Sequence, residues 1–152
     1  VRMGEMLEYT YVNGNAYGTT KKSVEEARAR GKNVILDVDT IGAMKIRALC
    51  PDATLVYILP PSWDELKSRL SSTGIYNKEE VNALMEIAEE EISCANSYDY
   101  ILVNDTISNT LSRFAQIIHS NRYSRNCMKE FLDSYIDGEV KPHVQSYKEA
   151  LL

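Results

Sequence analysis

Residues 33–39, "NVILDVD", form a short apolar, β-branched run that ends in two carboxylates. Val34, Ile35, Leu36 and Val38 leave little polar alternation, which is the pattern of a strand buried on both faces of a parallel sheet. Asp37 and Asp39 close the run, and ligands of open α/β sheets bind beyond the carboxyl ends of the strands. The stretch predicts both a fold class, α/β, and a place to look for chemistry.

Outward from it, strands and helices alternate. Upstream, "LEYTYV" (residues 7–12) reads as a strand with Glu8 between Leu7 and Tyr9. "VNGNAYGTT" (residues 12–20) supplies a turn, and an amphipathic helix runs from about Lys21 to Arg30, stopped by Gly31. Downstream, residues 42–49 make a short helix before Pro51, and "TLVYILPP" is a second buried strand closed by Pro60 and Pro61. Ser62 is an N-cap with Glu65 as its capping-box partner. "TGIYNKEEVNALMEIAEEEISCANS" reads as a polar loop leading into a long acidic helix, "YDYILVND" as a third strand and "ISNTLSRFAQIIHSN" as a further helix. This order predicts a mostly parallel sheet with helices on both faces. The C-terminal stretch reads as two short helices around Asp137-Gly138.

With 152 residues, 44% hydrophobic and 26% charged, the chain is expected to fold as one soluble domain. A net charge of −5 argues against broad binding to nucleic acid, which needs clustered cations. Cys50, Cys94 and Cys127 lie far apart without a C-x-x-C pair, so reduced thiols in a cytoplasmic setting are expected. No apolar run approaches the roughly 18 residues of a membrane span, and no signal peptide is recognisable. His119 and His143 have no partners at metal-ligand spacing, so no metal site is expected. A chain that starts at Val1 reads as a fragment or a processed product.

The glycines of "VNGNAYGTT" raise the question of a triphosphate-binding loop. Such a loop needs Gly-x-x-x-x-Gly-Lys-Ser/Thr, whose amides wrap the phosphates and whose lysine reaches them. Gly14 and Gly18 are one residue too close, and Thr19 stands in place of the lysine. Gly31-Lys32 fails too, because Asn33 follows and Glu26 holds the first glycine position.

Taken together, "LEYTYVNGNAYGTTKKSVEEARARGKNVILDVDTIGAMKIR", "YILPPSWDELKSRL" and "YDYILVND" resemble the guanylate kinase family from about residue 4 to residue 120. The resemblance implies an incomplete P-loop-kinase-type parallel sheet carrying a remnant of the GMP-binding subdomain (1–30), a core (31–70 and 98–122), a lid and following helix (71–97) and a helical tail (123–152). By resemblance, Glu8 and Asp37 read the donor edge of guanine, which suits an acceptor-only carboxylate. Tyr17 and Thr19 donate to the GMP phosphate. Asp39 lies near the phosphates and Mg²⁺, Asn104 and Asp105 near the adenine of ATP, and Arg69 is the first of the lid arginines that stabilise the transferring phosphoryl group.

The chain departs from the family pattern at Thr73 and Leu84, where further lid arginines are expected, and at Ile41, where glutamine is usual. The resemblance also implies a first strand between "NVILDVD" and "LVYILP", absent from these residues, which would leave sheet edges open. Three functions remain open. The chain is a truncated, inactive homologue similar to those of poxviruses, located in the host cytoplasm and retaining a GMP-shaped pocket. Alternatively, it is a protein-interaction module that takes a partner at the open sheet edge. Or it is a fragment of an active enzyme, using ATP and Mg²⁺ as cofactors only if a P-loop lies upstream.

Overall fold

The computed structural model describes residues 3–12 and 15–138, and the chain divides into two units after Ile101. In the first unit a short 3-10 turn, Met3–Glu5, leads into β1 (Met6–Val12), which pairs antiparallel with β2 (Asn15–Thr20). "VNGNAYGTT" is therefore largely strand where a turn was expected. The residues between the strands, including Gly14, lie outside the described residues. Opposing partners are Glu8 with Thr19, Tyr9 with Gly18 and Thr10 with Tyr17, and the register shifts between Met6 and Glu8. The extra residue, Leu7, forms a bulge that interrupts the alternation of faces, and Leu7 and Glu8 are both buried in succession.

Helix α1 (Lys21–Ala29) starts where the Thr20 hydroxyl accepts from the Ser23 amide. It ends as expected at Gly31, whose φ of 70° lets the Gly31 and Lys32 amides bond back to Arg28 and Ala27. Residues 33–39 then correct the opening expectation. Among the described residues they join no strand ladder, and Ile35 is 64% exposed. β-branched residues favour a pleated, half-buried surface, but a strand exists only where another strand pairs with it.

Helix α2 (Thr40–Leu49) buries Gly42, Ala43 and Ile46. Strand β3 (Val56–Leu59) follows, then α3 (Trp63–Ser72) and α4 (Lys78–Glu91), a 3-10 segment Ile92–Ser97, and β4 (Tyr100–Val103). The amide of Tyr100 bonds to the carbonyl of Leu55, so β3 and β4 begin side by side and run parallel, as the α/β reading expected. Both strands are thinly covered, with Ile58 at 54% and Ile101 at 57% exposure. Ser62 caps α3, but the Glu65 carboxylate turns to Arg69, so only half of the expected capping box forms. The complete capping box is Asn77 with Glu80 at the start of α4, where the polar loop leads into the long acidic helix expected from the sequence.

A salt-bridged knot closes this unit. Arg47 donates to the carbonyls of Pro51 and Ala53 and to Asp99 Oδ2 at 2.6 Å, and the same oxygen accepts the Leu55 amide at 2.7 Å. Tyr57 and Tyr98 pack edge to face, 4.9 Å between ring centres. Burial, with Glu91 and Cys94 nearby, pushes both phenols above their ordinary pKa.

The second unit contains the buried Leu102, α5 (Ile107–Asn121) and α6 (Lys129–Ile136). Of the two tail helices expected around Asp137-Gly138, α6 precedes that turn; the second, and His143, lie outside the described residues. Among the described residues no helix is long and apolar enough to cross a membrane.

Candidate functional site

The hairpin and the start of α2 build one group of functional side chains. Glu8 is 8% exposed, a burial that a carboxylate tolerates only with partners. Its Oε1 accepts the Thr19 hydroxyl at 2.8 Å, directly across the ladder. The hydroxyl that the resemblance assigns to a phosphate is thus donated to the carboxylate. Oε2 has no hydrogen-bond partner among the described residues.

Gly18 is what lets the two strands meet here. A Cβ on it would stand 2.7 Å from Met6 Cε and 2.8 Å from Tyr9 Cα, and would overlap the Glu8 carbonyl oxygen. Tyr17, one residue before, is 58% exposed and leaves its ring to solvent. Tyr9 packs edge to face on Tyr11 and receives the Lys45 ammonium 5.0 Å from its ring centre, which ties the hairpin to α2.

Asp39 is the N-cap of α2, with Oδ1 accepting the Gly42 amide at 2.6 Å. A Cβ at Gly42 would lie 3.1 Å from that same oxygen and 3.7 Å from Glu8 Oε2, so the two carboxylates flank one backbone atom. The next residue, Thr40, donates to Glu91 Oε1 at 3.2 Å and joins the end of α4 to the start of α2. Asp37 is exposed and makes no hydrogen bond with another described residue.

The remaining candidates sit elsewhere. Arg69 donates from Nε to Glu65 at 2.7 Å, one turn back on α3. Thr73 donates to the Leu70 carbonyl and accepts the Ile75 amide at the end of α3. Leu84 belongs to a buried or half-buried stripe on α4 with Val81, Met85 and Ala88, at the spacing of one helix face. Hydrophobic packing accounts for a leucine at this position.

In the second unit, Asp105 Oδ1 accepts the Thr106 amide at 2.6 Å, and Oδ2 accepts from Arg113 at 3.0 Å and Asn109 at 3.3 Å. The Thr106 amide first, then Arg113, hold its carboxyl below the usual pKa. Asn104 accepts the Thr110 hydroxyl at 3.0 Å. These two residues brace the start of α5.

Among the described residues no three His, Cys, Asp or Glu side chains converge as metal ligands, and the three cysteines are free. The Thr19–Glu8 bond, the Gly42 contact and the Arg47–Asp99 knot are invisible to sequence reasoning except as residue types; for Gly42 the one signal is a glycine inside a helix.

Comparison with known proteins agrees with these motifs. The guanylate kinase family model matches residues 1–121. The guanylate kinase of Clostridium acetobutylicum is 38% identical over 142 residues, 93% of this chain and 66% of its own length. That of Francisella tularensis is 44% identical over 116 residues, 76% of this chain and 61% of its own. The crystal structure of guanylate kinase from Anaplasma phagocytophilum superposes with a TM-score of 0.64 at 30% identity, covering 80% of this chain and 58% of that one. The chain thus spans about three-fifths of the length of these relatives. By the span of that match and the order of its motifs, the chain belongs to the guanylate kinase family.

Proposed function

We propose that this chain binds GMP at the β1–β2 hairpin and the start of α2, and that these 152 residues do not by themselves transfer a phosphoryl group. The observation that carries the reading is Glu8: buried, oriented by Thr19 through one oxygen, with the other oxygen uncommitted among the described residues. Guanine offers two adjacent N–H donors, and a fixed carboxylate is the acceptor that matches them. Exposed Asp37 supplies a further acceptor, and Tyr17 a hydroxyl for the phosphate.

The donor side lacks comparable support. No stretch of these residues has the triphosphate-loop spacing, Arg69 is engaged by Glu65, and Leu84 serves packing. Each missing electrostatic donor costs phosphoryl transfer about 3 kcal/mol. The poxvirus likeness and a host-cytoplasm location belong to this same reading.

Calorimetry with GMP and AMP tests the binding half: GMP binds, AMP binds more weakly, and Glu8→Gln loses the difference. A coupled assay with ATP, Mg²⁺ and GMP tests the other half. Turnover that disappears in Asp37→Ala would overturn it.

A second reading is favoured by Ile58 and Ile101, apolar residues exposed on a parallel pair that such folds normally cover. In it, the chain is an interaction module whose partner lays a strand along the open edge of the sheet. Absence of GMP binding, together with hydrogen-exchange protection of β3 amides by a purified partner, would select it.

A further inference from the structure

Gly42 stands against the local preference of its own helix. It is the third residue of α2, is buried, and has no left-handed φ, so its backbone conformation is one that any residue adopts. Alanine is the better helix former at such a position, and glycine costs chain entropy. Space is what glycine supplies. A Cβ there would press on Asp39 Oδ1 at 3.1 Å and Val38 Cβ at 3.2 Å, both tighter than ordinary contacts, and would stand 3.7 Å from Glu8 Oε2.

Two carboxylates from different elements thus share one bare α-carbon. Asp39 also bonds to the Gly42 amide, so displacing that cap shifts the start of α2 beneath Glu8. The neighbouring atoms are backbone-anchored on both sides: Val38 precedes the cap, and Glu8 is held across the hairpin by Thr19.

We propose that Gly42 is a positioning residue for base recognition, keeping clear the space in which Glu8 Oε2 meets a purine's donor edge and the Asp39 cap holds α2 in place. The proposal rests on the GMP reading above. A methyl group at residue 42 would crowd the cap and cover one side of Oε2, weakening contacts to the guanine donors more than contacts to the rest of the nucleotide.

The test compares the full chain with Gly42→Ala, checked for folding by far-UV circular dichroism, by calorimetry with GMP and with IMP, which lacks the exocyclic amino group. The expected result is a loss of GMP affinity of about fivefold or more, with a smaller loss for IMP, so that the preference contracts. An equal fall for both ligands, or no fall, would overturn the role. In the wild-type protein, saturating GMP is expected to move the Gly42 amide resonance in a nitrogen–proton spectrum; a resonance that stays put while GMP binds overturns the proposal without any variant. Wild-type protein that binds no GMP overturns the GMP reading itself, and the Gly42 role with it.

Discussion

The Thr19 hydroxyl donates to Glu8 Oε1 at 2.8 Å across a bulged hairpin, the one hydrogen bond to this buried side chain among the described residues. Thr19→Val keeps the shape and removes the donor. The expected outcome is a destabilisation of about 1–2 kcal/mol, because a buried acceptor loses its partner. Urea unfolding measures it. An unchanged midpoint would show that the bond contributes nothing to stability.

Gly18 is required by contact between the strands and not by an unusual φ. Its Cβ would strike Tyr9 Cα at 2.8 Å, whereas one at Gly4 meets nothing within 4 Å. Gly18→Ala is expected to cost about 1–3 kcal/mol through forced strand separation. Gly4→Ala should be nearly neutral, and paired thermal melts of the two variants decide the point.

Asp99 is the centre of the knot between α2 and the start of β4. Its Oδ2 accepts from both Arg47 and the Leu55 amide. The ion pair is partly exposed, 31% and 40% for the two side chains, so its Coulombic share is under about 1 kcal/mol and falls with salt. The amide bond does not depend on salt. Asp99→Ala is therefore expected to cost about 1–2 kcal/mol, most of it persisting at high salt. A loss that vanishes in concentrated salt would assign the whole effect to the ion pair.

Asp105 is held below its ordinary pKa of 3.8 by the Thr106 amide and Arg113. A carboxyl depressed on folding adds stability above the unfolded pKa and loses it as pH falls through the folded value. The start of α5 should loosen below about pH 4, and Asp105→Asn should remove part of that acid sensitivity. Hydrogen exchange of the Thr106 and Asn109 amides against pH reads this out. Acid sensitivity unchanged in the variant would place its origin elsewhere.

Local signals explain what was legible in the sequence. Gly31 after α1 and Ser62 before α3 act within a few residues, and both do what their types predict. "NVILDVD" has the composition of a strand yet joins no ladder among the described residues, because pairing needs a neighbour that composition does not report. Glu65 has the spacing of a capping partner but does not act as one, because Arg69, four residues on, competes for its carboxylate. Asn77 and Glu80 mark where the polar loop gives way to the long acidic helix, a boundary that polarity alone does not locate.

The sequence by itself determined the family, since motif order and spacing survive in linear form, and it placed Glu8, Tyr17, Thr19, Asp37 and Asp39 in one segment of the chain. Only the tertiary structure decided what each does: that the Thr19 hydroxyl donates a hydrogen bond to Glu8, that Asp39 caps α2, that Gly42 lies beside both carboxylates, and that Leu84 joins an apolar stripe. The physical reason is range. Identity and spacing are carried along the chain, whereas a hydrogen bond between residues 11 apart, or the close approach of Glu8 to the bare Gly42 α-carbon, exists only once folding has brought distant backbone together.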